Sequence, residues 1–103
     1  MYVGSLRVDL LLGDVRSLKQ KRAVVRPVVA ELRRRFEVAA AESGHLDLHR
    51  RAEIGVAVVA ADVAHCHQVL AACERLVAGR PEVEVLSAGV RVWADTDDTA
   101  DQS

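Results

Sequence analysis

The segment Ser17–Arg26, SLKQKRAVVR, begins the first predicted helix and carries a dense run of positive charge. Ser17 followed by Gln20 fits a capping box, in which the Ser hydroxyl accepts a hydrogen bond from a free amide at the helix start and the Gln side chain reaches back to another. The helix is therefore predicted to begin at Leu18 and to run to about Arg35. Inside it, Pro27 lacks an N–H and predicts a kink or a short break near residues 23–26.

This helix has two neighbouring stripes, which lie about 75° apart on the helical wheel at about 100° per residue. The apolar stripe predicts a face that packs against a core, and the flanking stripe predicts a positively charged surface. The apolar stripe consists of Leu18, Val25, Val29, Leu32 and Phe36, and the cationic stripe of Lys19, Arg22, Arg26 and Arg33.

The length of 103 residues fits one domain. The net charge of −1 hides a division, because residues 1–51 contain 11 Lys and Arg against 6 Asp and Glu, whereas residues 52–103 contain 3 against 9. Such a chain is not a globally basic nucleic-acid binder, but it can have a basic patch on one face. The alternative is an ordinary solvated helix surface.

The cysteines and the amino terminus both favour the cytoplasm. Cys66 and Cys73 fall on one helical face about 10.5 Å apart along the axis, which excludes a disulfide between them and indicates small core residues. The amino terminus is interrupted by Arg7 and Asp9, so it predicts neither a secretory signal nor a membrane span. We expect a cytoplasmic protein that does not associate with a membrane.

The remaining elements follow from alternation, caps and breakers. The segment Arg51–Ala60, RAEIGVAVVA, is the clearest strand, since it is β-branched and nearly continuous in apolar character. The predicted strands are Tyr2–Leu12, Phe36–Ser43, Arg51–Ala60 and Glu84–Trp93, the last with a bulge within 87–89. A second helix is predicted to be capped by Asp62 and to end at Gly79. A single domain over 1–93 is predicted to be followed by an acidic disordered tail over 94–103.

The order βαββαβ predicts an α+β, ferredoxin-like fold, in which a four-stranded antiparallel sheet carries both helices on one face. If Ile54, Val56 and Val58 point toward the helices, small apolar residues remain on the opposite face, which nothing in the chain covers. We therefore expect a homodimer that buries this open face.

Several segments, taken together, are similar to the YlxP-like family of small bacterial proteins of unknown function. They are SLKQKR (17–22), Phe36 with the Ala41-Glu42 pair, Asp47, and Arg51-Ala52-x-x-Gly55-Val56-Ala57-Val58-Val59. The resemblance covers nearly all of the chain except its acidic end, and the chain departs from the family at Pro27 and at His49. It implies a ferredoxin-like fold and no particular activity. The family's genes commonly lie among those for transcription, translation initiation and ribosome maturation, which implies a role near the ribosome.

Candidate chemistry is sparse. His45, Asp47 and His49 alternate in one loop and are possible metal ligands, but a stable site needs further ligands that the sequence does not mark, so we predict no metal and no cofactor. The nucleotide-binding and nucleophile motifs of common enzyme classes do not occur in the sequence. We predict no catalytic residue, and an enzyme with a site near Glu42, Asp47 and Arg51 is the last of three interpretations.

The first interpretation is an accessory protein that contacts RNA or a ribonucleoprotein through phosphates. The second is a structural or regulatory homodimer that binds a protein partner. Because the two predicted central strands carry no aromatic pair for base stacking, RNA would be bound by its backbone, with weak sequence preference. The predicted phosphate-binding residues are Lys19, Lys21, Arg22, Arg26 and Arg33.

Overall fold

Six elements follow one another in a computed structural model that describes residues 1–96. Their bounds are β1 (Tyr2–Leu12), α1 (Leu18–Arg35), β2 (Ala39–Gly44), β3 (Arg51–Ala60), α2 (Val63–Ala78) and β4 (Val83–Ala94). The strands form one antiparallel sheet in the order β2-β3-β1-β4. This is the predicted ferredoxin-like α+β fold.

The bounds of β1, α1, β3 and α2 agree with the sequence prediction, whereas β2 and β4 do not. β2 begins at Ala39 because Phe36 caps α1 instead: its N–H donates to the carbonyl of Leu32 at 3.0 Å, and the N–H of Val38 donates to Phe36 at 2.9 Å. β4 runs from Val83 to Ala94, one residue longer at each end than predicted, so Ala94 belongs to the sheet and not to the predicted tail. Residues 97–103 of the predicted tail lie outside the described residues.

The helix starts are capped by side chains. Ser17 Oγ accepts from the N–H of Gln20 at 3.1 Å, and the Gln20 side chain accepts from the N–H of Arg16 at 2.6 Å, one residue earlier than a capping box places it. In α2, Asp62 accepts from the N–H of His65 at 2.7 Å. Each cap supplies an acceptor to an amide that the helix itself leaves free.

The helix α1 is continuous from Leu18 to Arg35, so the short break predicted near residues 23–26 does not occur. Pro27 removes the bond that the carbonyl of Ala23 would accept. Both residues are exposed and lie one turn apart, so water can take the place of the missing donor at that carbonyl.

The core lies between the helices and one face of the sheet, as the alternation in β1 and β3 predicts. Leu18 is an exception to the predicted apolar stripe, since it is 37% exposed. No helix among residues 1–96 is long and apolar enough to cross a membrane. The main buried residues are Leu6, Val8, Leu10 and Leu12 of β1, Val25, Val28 and Leu32 of α1, Ile54, Val56 and Val58 of β3, and Cys66, Leu70, Cys73 and Val77 of α2.

Two bulges adjust the sheet. In β4, Ser87 pairs with Asp9 and Val85 pairs with Leu10, so Leu86 is the extra residue, one position before the predicted range. In β2, Ser43 is the extra residue between two pairings to β3. The second bulge leaves Ser43 beside Gly55, where a β-carbon would lie 2.9 Å from the Ser43 hydroxyl.

Replacing Gly4 by Ala should destabilise the protein by about 1–3 kcal/mol, because the β-carbon would overpack the contact between β1 and α2. It would lie 2.9 Å from Leu70 Cδ1 and 3.3 Å from Cys66 Cβ, both of which are fully buried. Urea denaturation measures the difference in unfolding free energy. The matched control is Gly89→Ala in β4, where nothing lies within 4 Å of the added carbon; equal losses in the two variants would contradict this account of the packing.

Candidate nucleic-acid interface

Lys21 does not belong to the charged surface, because it is only 1% exposed. Its ammonium donates to the carbonyls of His45 and Leu48, both at 2.7 Å, and lies 2.6 Å from a carboxylate oxygen of Glu42. All three partners belong to β2 or to the loop between β2 and β3. The prediction that Lys21 binds phosphate is therefore wrong: its charge is used inside the protein, where it ties α1 to this loop.

The sequence contains a signal for this burial. Lys21 precedes Val25, Val28 and Leu32 by four, seven and eleven residues, which is the spacing of one helical face, and all three are buried. A lysine on a packed face must find partners for its charge. Because charged residues are usually exposed, grouping Lys21 with its charged neighbours placed it on the wrong side of the helix.

The remaining predicted cations lie on the exposed flank of α1. Lys19, Arg22 and Arg26 are exposed, and none of them forms an ion pair with a residue in the described part of the chain. Arg22 and Arg26 line a groove of about 430 Å³ between α1 and β2, which we call the helix groove. The structure thus brings Arg22, Arg26 and Arg33 together on one side of α1.

Arg33 reaches from this groove to the edge of the sheet. Its Nε donates to the carbonyl of Ala40 in β2 at 3.0 Å. Arg33 lines both the helix groove and a second groove of about 720 Å³ on the open face of the sheet, which we call the sheet groove. Arg33 is thereby the residue that joins the flank of α1 to the open face.

Other arginines of α1 are close to a carboxylate. Glu31 lies 3.6 Å from Arg34 and 3.4 Å from Arg35, and it also forms an ion pair with Arg80 after α2. This arrangement reduces the positive potential on the side of α1 that faces α2. The uncompensated charge of the helix is therefore on the side that faces β2.

The open face carries a separate polar cluster at the end of the sheet near the β2–β3 loop. Arg51 Nη2 donates to Asp9 Oδ2 at 2.6 Å, and His45 Nε2 lies 3.2 Å from Asp9 Oδ1. The hydrogen bond from Arg51 holds the pKa of Asp9 below its ordinary value and raises that of Arg51. His45 occupies a left-handed backbone conformation with φ of 56°.

The structure does not bring the residues of the alternative enzyme site together as one cluster. Arg51 pairs with Asp9 and Glu42 pairs with Lys21, while Asp47 is exposed in the loop. Within residues 1–96, no three His, Cys, Asp or Glu side chains are grouped so that they could hold a metal ion. Burial raises the pKa of the Cys73 thiol, which disfavours a thiolate nucleophile there.

Comparisons with known proteins extend over most of the chain. Residues 3–90 match a family described as "Protein of unknown function (DUF503)". The chain is also 27% identical over 82 residues to the "Uncharacterized protein YlxP" of Bacillus subtilis (strain 168), which corresponds to 80% of this chain and 89% of that protein. Neither description states an activity.

Replacing Lys21 by Met should cost about 3 kcal/mol of unfolding free energy, because two loop carbonyls lose their donor and the partly buried Glu42 carboxylate loses its counterion. Thermal and urea denaturation measure the loss. The double variant Lys21→Met/Glu42→Gln should recover part of it, since no unpaired carboxylate remains. The control is Lys19→Met, an exposed neighbour that should change stability by no more than about 0.5 kcal/mol. Equal stability of the two single variants would contradict the buried contact.

Asp9 should make stability depend on acid pH. Because its folded pKa lies below the ordinary 3.8, the carboxylate stabilises the fold above that value, and the stabilisation is lost as the pH falls through the lowered pKa. Urea denaturation compares the unfolding free energies of the native chain and Asp9→Asn between about pH 5 and about pH 2. The native chain should be the more stable at about pH 5, and this difference should disappear toward about pH 2. An advantage that does not change over this range would contradict the ion pair with Arg51.

Proposed function

The chain belongs to the DUF503 family of proteins of unknown function, and since this membership carries no activity, we propose from the geometry that it is a cytoplasmic, non-enzymatic accessory protein that binds RNA. The contact is made with RNA phosphates by the exposed flank of α1. We expect the protein to bind ribosomal RNA exposed on the surface of a ribosomal subunit. The phosphate-binding residues in this proposal are Lys19, Arg22, Arg26 and Arg33.

One observation supports this proposal above all: exposed cations share one flank of α1 and have no carboxylate partner in the described residues. From Arg22 to Arg33 the flank extends about 16.5 Å along the helix axis at 1.5 Å per residue. Unpaired arginines in a row attract a polyanion, because each phosphate contact releases condensed counterions. Arginine also binds phosphate oxygens in a bidentate geometry.

The buried Lys21 contact prepares this surface. It fixes the rotation of α1 about its own axis, since Lys21 must point toward the β2–β3 loop. Arg22, one residue on, is then about 100° around the helix from Lys21 and faces outward. A surface held in place before binding loses less entropy on binding than a flexible one.

A homodimer through the open face is the competing proposal. Val59 and Trp93 are 62% and 42% exposed on this face, which favours some cover for it. However, the same face carries Arg7, Arg33 and Arg91 around the sheet groove. Stacking two such faces would oppose two grooves that each carry three arginines and one carboxylate, Glu53, so we favour a polyanion over a second copy.

The double variant Arg22→Gln/Arg26→Gln should bind RNA at least about tenfold more weakly at moderate salt, because two charged hydrogen-bond donors are lost. Its plot of log affinity against log salt should be shallower by about 1.4 for single-stranded RNA, at about 0.7 per phosphate contact. Fluorescence anisotropy with a labelled RNA measures both values. Co-sedimentation with ribosomal subunits at low and high salt tests the same surface on ribosomal RNA.

The matched control is Arg75→Gln on α2, which is also exposed and without an ion pair among residues 1–96. This control should bind RNA as the native chain does. The double variant and the control should both have the melting temperature of the native chain. If the double variant and the native chain bind RNA equally at every salt concentration, or if neither binds, the proposal is overturned.

A further inference from the structure

We propose that the bound RNA is single-stranded and that it continues from the flank of α1 over the β2 edge onto the open face of the sheet, where one base stacks on Trp93. This inference rests on the proposed function but concerns a second surface. It specifies unpaired RNA as the substrate class. Phosphate contacts on α1 alone do not distinguish unpaired RNA from duplex RNA. Unpaired bases are free to stack on an aromatic side chain, whereas bases in a duplex are stacked on one another.

Arg33 provides the continuity between the two surfaces. Because its Nε is bound to the carbonyl of Ala40, the guanidinium is held at the edge strand of the sheet rather than extended into solvent. The side chain lines the helix groove with Arg22 and Arg26, and it lines the sheet groove with Arg7 and Arg91. Arginines therefore line both grooves, beside one carboxylate in each, Glu42 and Glu53, and a strand of phosphates can pass from one groove to the other along Arg33.

The floor of the sheet groove consists of small side chains. One cross-strand row runs from Ala39 through Ala57 and Ser5 to Arg91. Three strand spacings of about 4.8 Å make this row about 14 Å wide. In the next row, Gly55 and Gly89 flank Arg7. Apart from the cationic Arg7 and Arg91, the residues of these two rows are small, so a nucleic-acid backbone can approach the sheet closely between arginine side chains.

The charges around the groove suit a polyanion. The carboxylates near this path are compensated in part by cations of the protein. Glu42 lines the helix groove and lies 2.6 Å from Lys21 Nζ, and Glu53 lines the sheet groove, where it accepts from the hydroxyl of Ser43 at 2.8 Å and lies 3.7 Å from Arg7. Asp95 follows β4. Arg91 is exposed and has no ion pair within the described part of the chain. Arg33 and Arg91, at opposite ends of the row, are therefore available to phosphates.

Trp93 stands at the end of this path. It lies in the row of Val59, Val3 and Trp93 across β3, β1 and β4, on the same face as the sheet groove. The guanidinium of Arg91 lies over one face of the ring, 5.4 Å from its centroid, a cation–π contact that orients the indole, so a base would stack on the opposite face. The indole remains 42% exposed, so a base has a surface on which to stack, next to a cation for its phosphate.

Trp93 is also the only tryptophan of the chain, so its fluorescence reports on this position alone. The native chain is titrated with a single-stranded oligoadenylate and with an RNA duplex of the same length. The single strand should quench Trp93, because a stacked base contacts the indole, and the duplex should leave the emission unchanged. Binding of labelled RNAs is followed in parallel by anisotropy.

Trp93→Leu should bind the single strand about 5- to 100-fold more weakly, as expected for the loss of one stacked base, and should bind the duplex as before. Its control is Val63→Ala, which alters an apolar side chain of nearly the same exposure, 41% against 42%, on α2. Arg91→Gln serves as a second variant that keeps the tryptophan; it should lower the salt slope for the single strand by about 0.7. Melting curves establish that each variant is folded.

The outcomes separate this inference from the proposed function. If RNA binding depends on Arg22 and Arg26 but Trp93 is not quenched and Trp93→Leu and Arg91→Gln bind the single strand normally, the path over the open face is overturned and the contact on α1 stands. If no RNA binds at low salt, both are overturned. If sedimentation shows a dimer whose formation alone buries Trp93, the open face belongs to a second copy and this inference fails.

Discussion

The buried ammonium of Lys21 is the contact on which the arrangement of this protein depends. It lies between a carboxylate of β2 and two carbonyls of the β2–β3 loop, so one side chain joins the start of α1 to an otherwise irregular segment. A buried charge is tolerated only when its partners are well placed. The same contact decides which residues of the SLKQKR segment point outward, since Lys19 and Arg22 lie on either side of Lys21 in the chain and cannot share its direction.

The distribution of free charge follows from where carboxylates occur. Glu31 lies among Arg34, Arg35 and Arg80, and Asp9 pairs with Arg51, so these cations are compensated within the protein. No described carboxylate pairs with the flank of α1 that carries Arg22 and Arg26. A chain with net charge −1 thus presents a positive flank, because the carboxylates of residues 1–96 form their ion pairs with other cations. This separation, rather than overall basicity, supports a role with RNA.

Most of the fold could be predicted from the sequence, because apolar periodicity and local caps act within a few residues. Ser17 and Asp62 mark the starts of both helices, and the alternation in β1 fixes which side is buried. The predicted start of β2 was wrong because Phe36 is apolar and was assigned to the strand. Its amide instead completes the last turn of α1. The continuity of α1 at Pro27 depends on which side of the helix faces solvent, and this is set by tertiary packing.

The candidate site could be predicted only in part. The outward position of Lys19, Arg22 and Arg26 follows from helical phase. The burial of Lys21 also follows from this phase, because Lys21 lies on the same helical face as Val25. The role of Arg33 as a link between two grooves could not be predicted, because it depends on how closely α1 approaches the edge strand. For the same reason, the pairing of Arg91 with Trp93 on the open face required the register of β4 against β1.

The most direct measurement is the salt dependence of single-stranded RNA binding by the native chain. Four phosphate contacts by Lys19, Arg22, Arg26 and Arg33 predict that log affinity falls with log salt with a slope of about −3, and a steeper slope if the open face contributes. A complex that is absent at about 50 mM salt, or whose affinity does not change with salt, would contradict the claim that this flank binds phosphate.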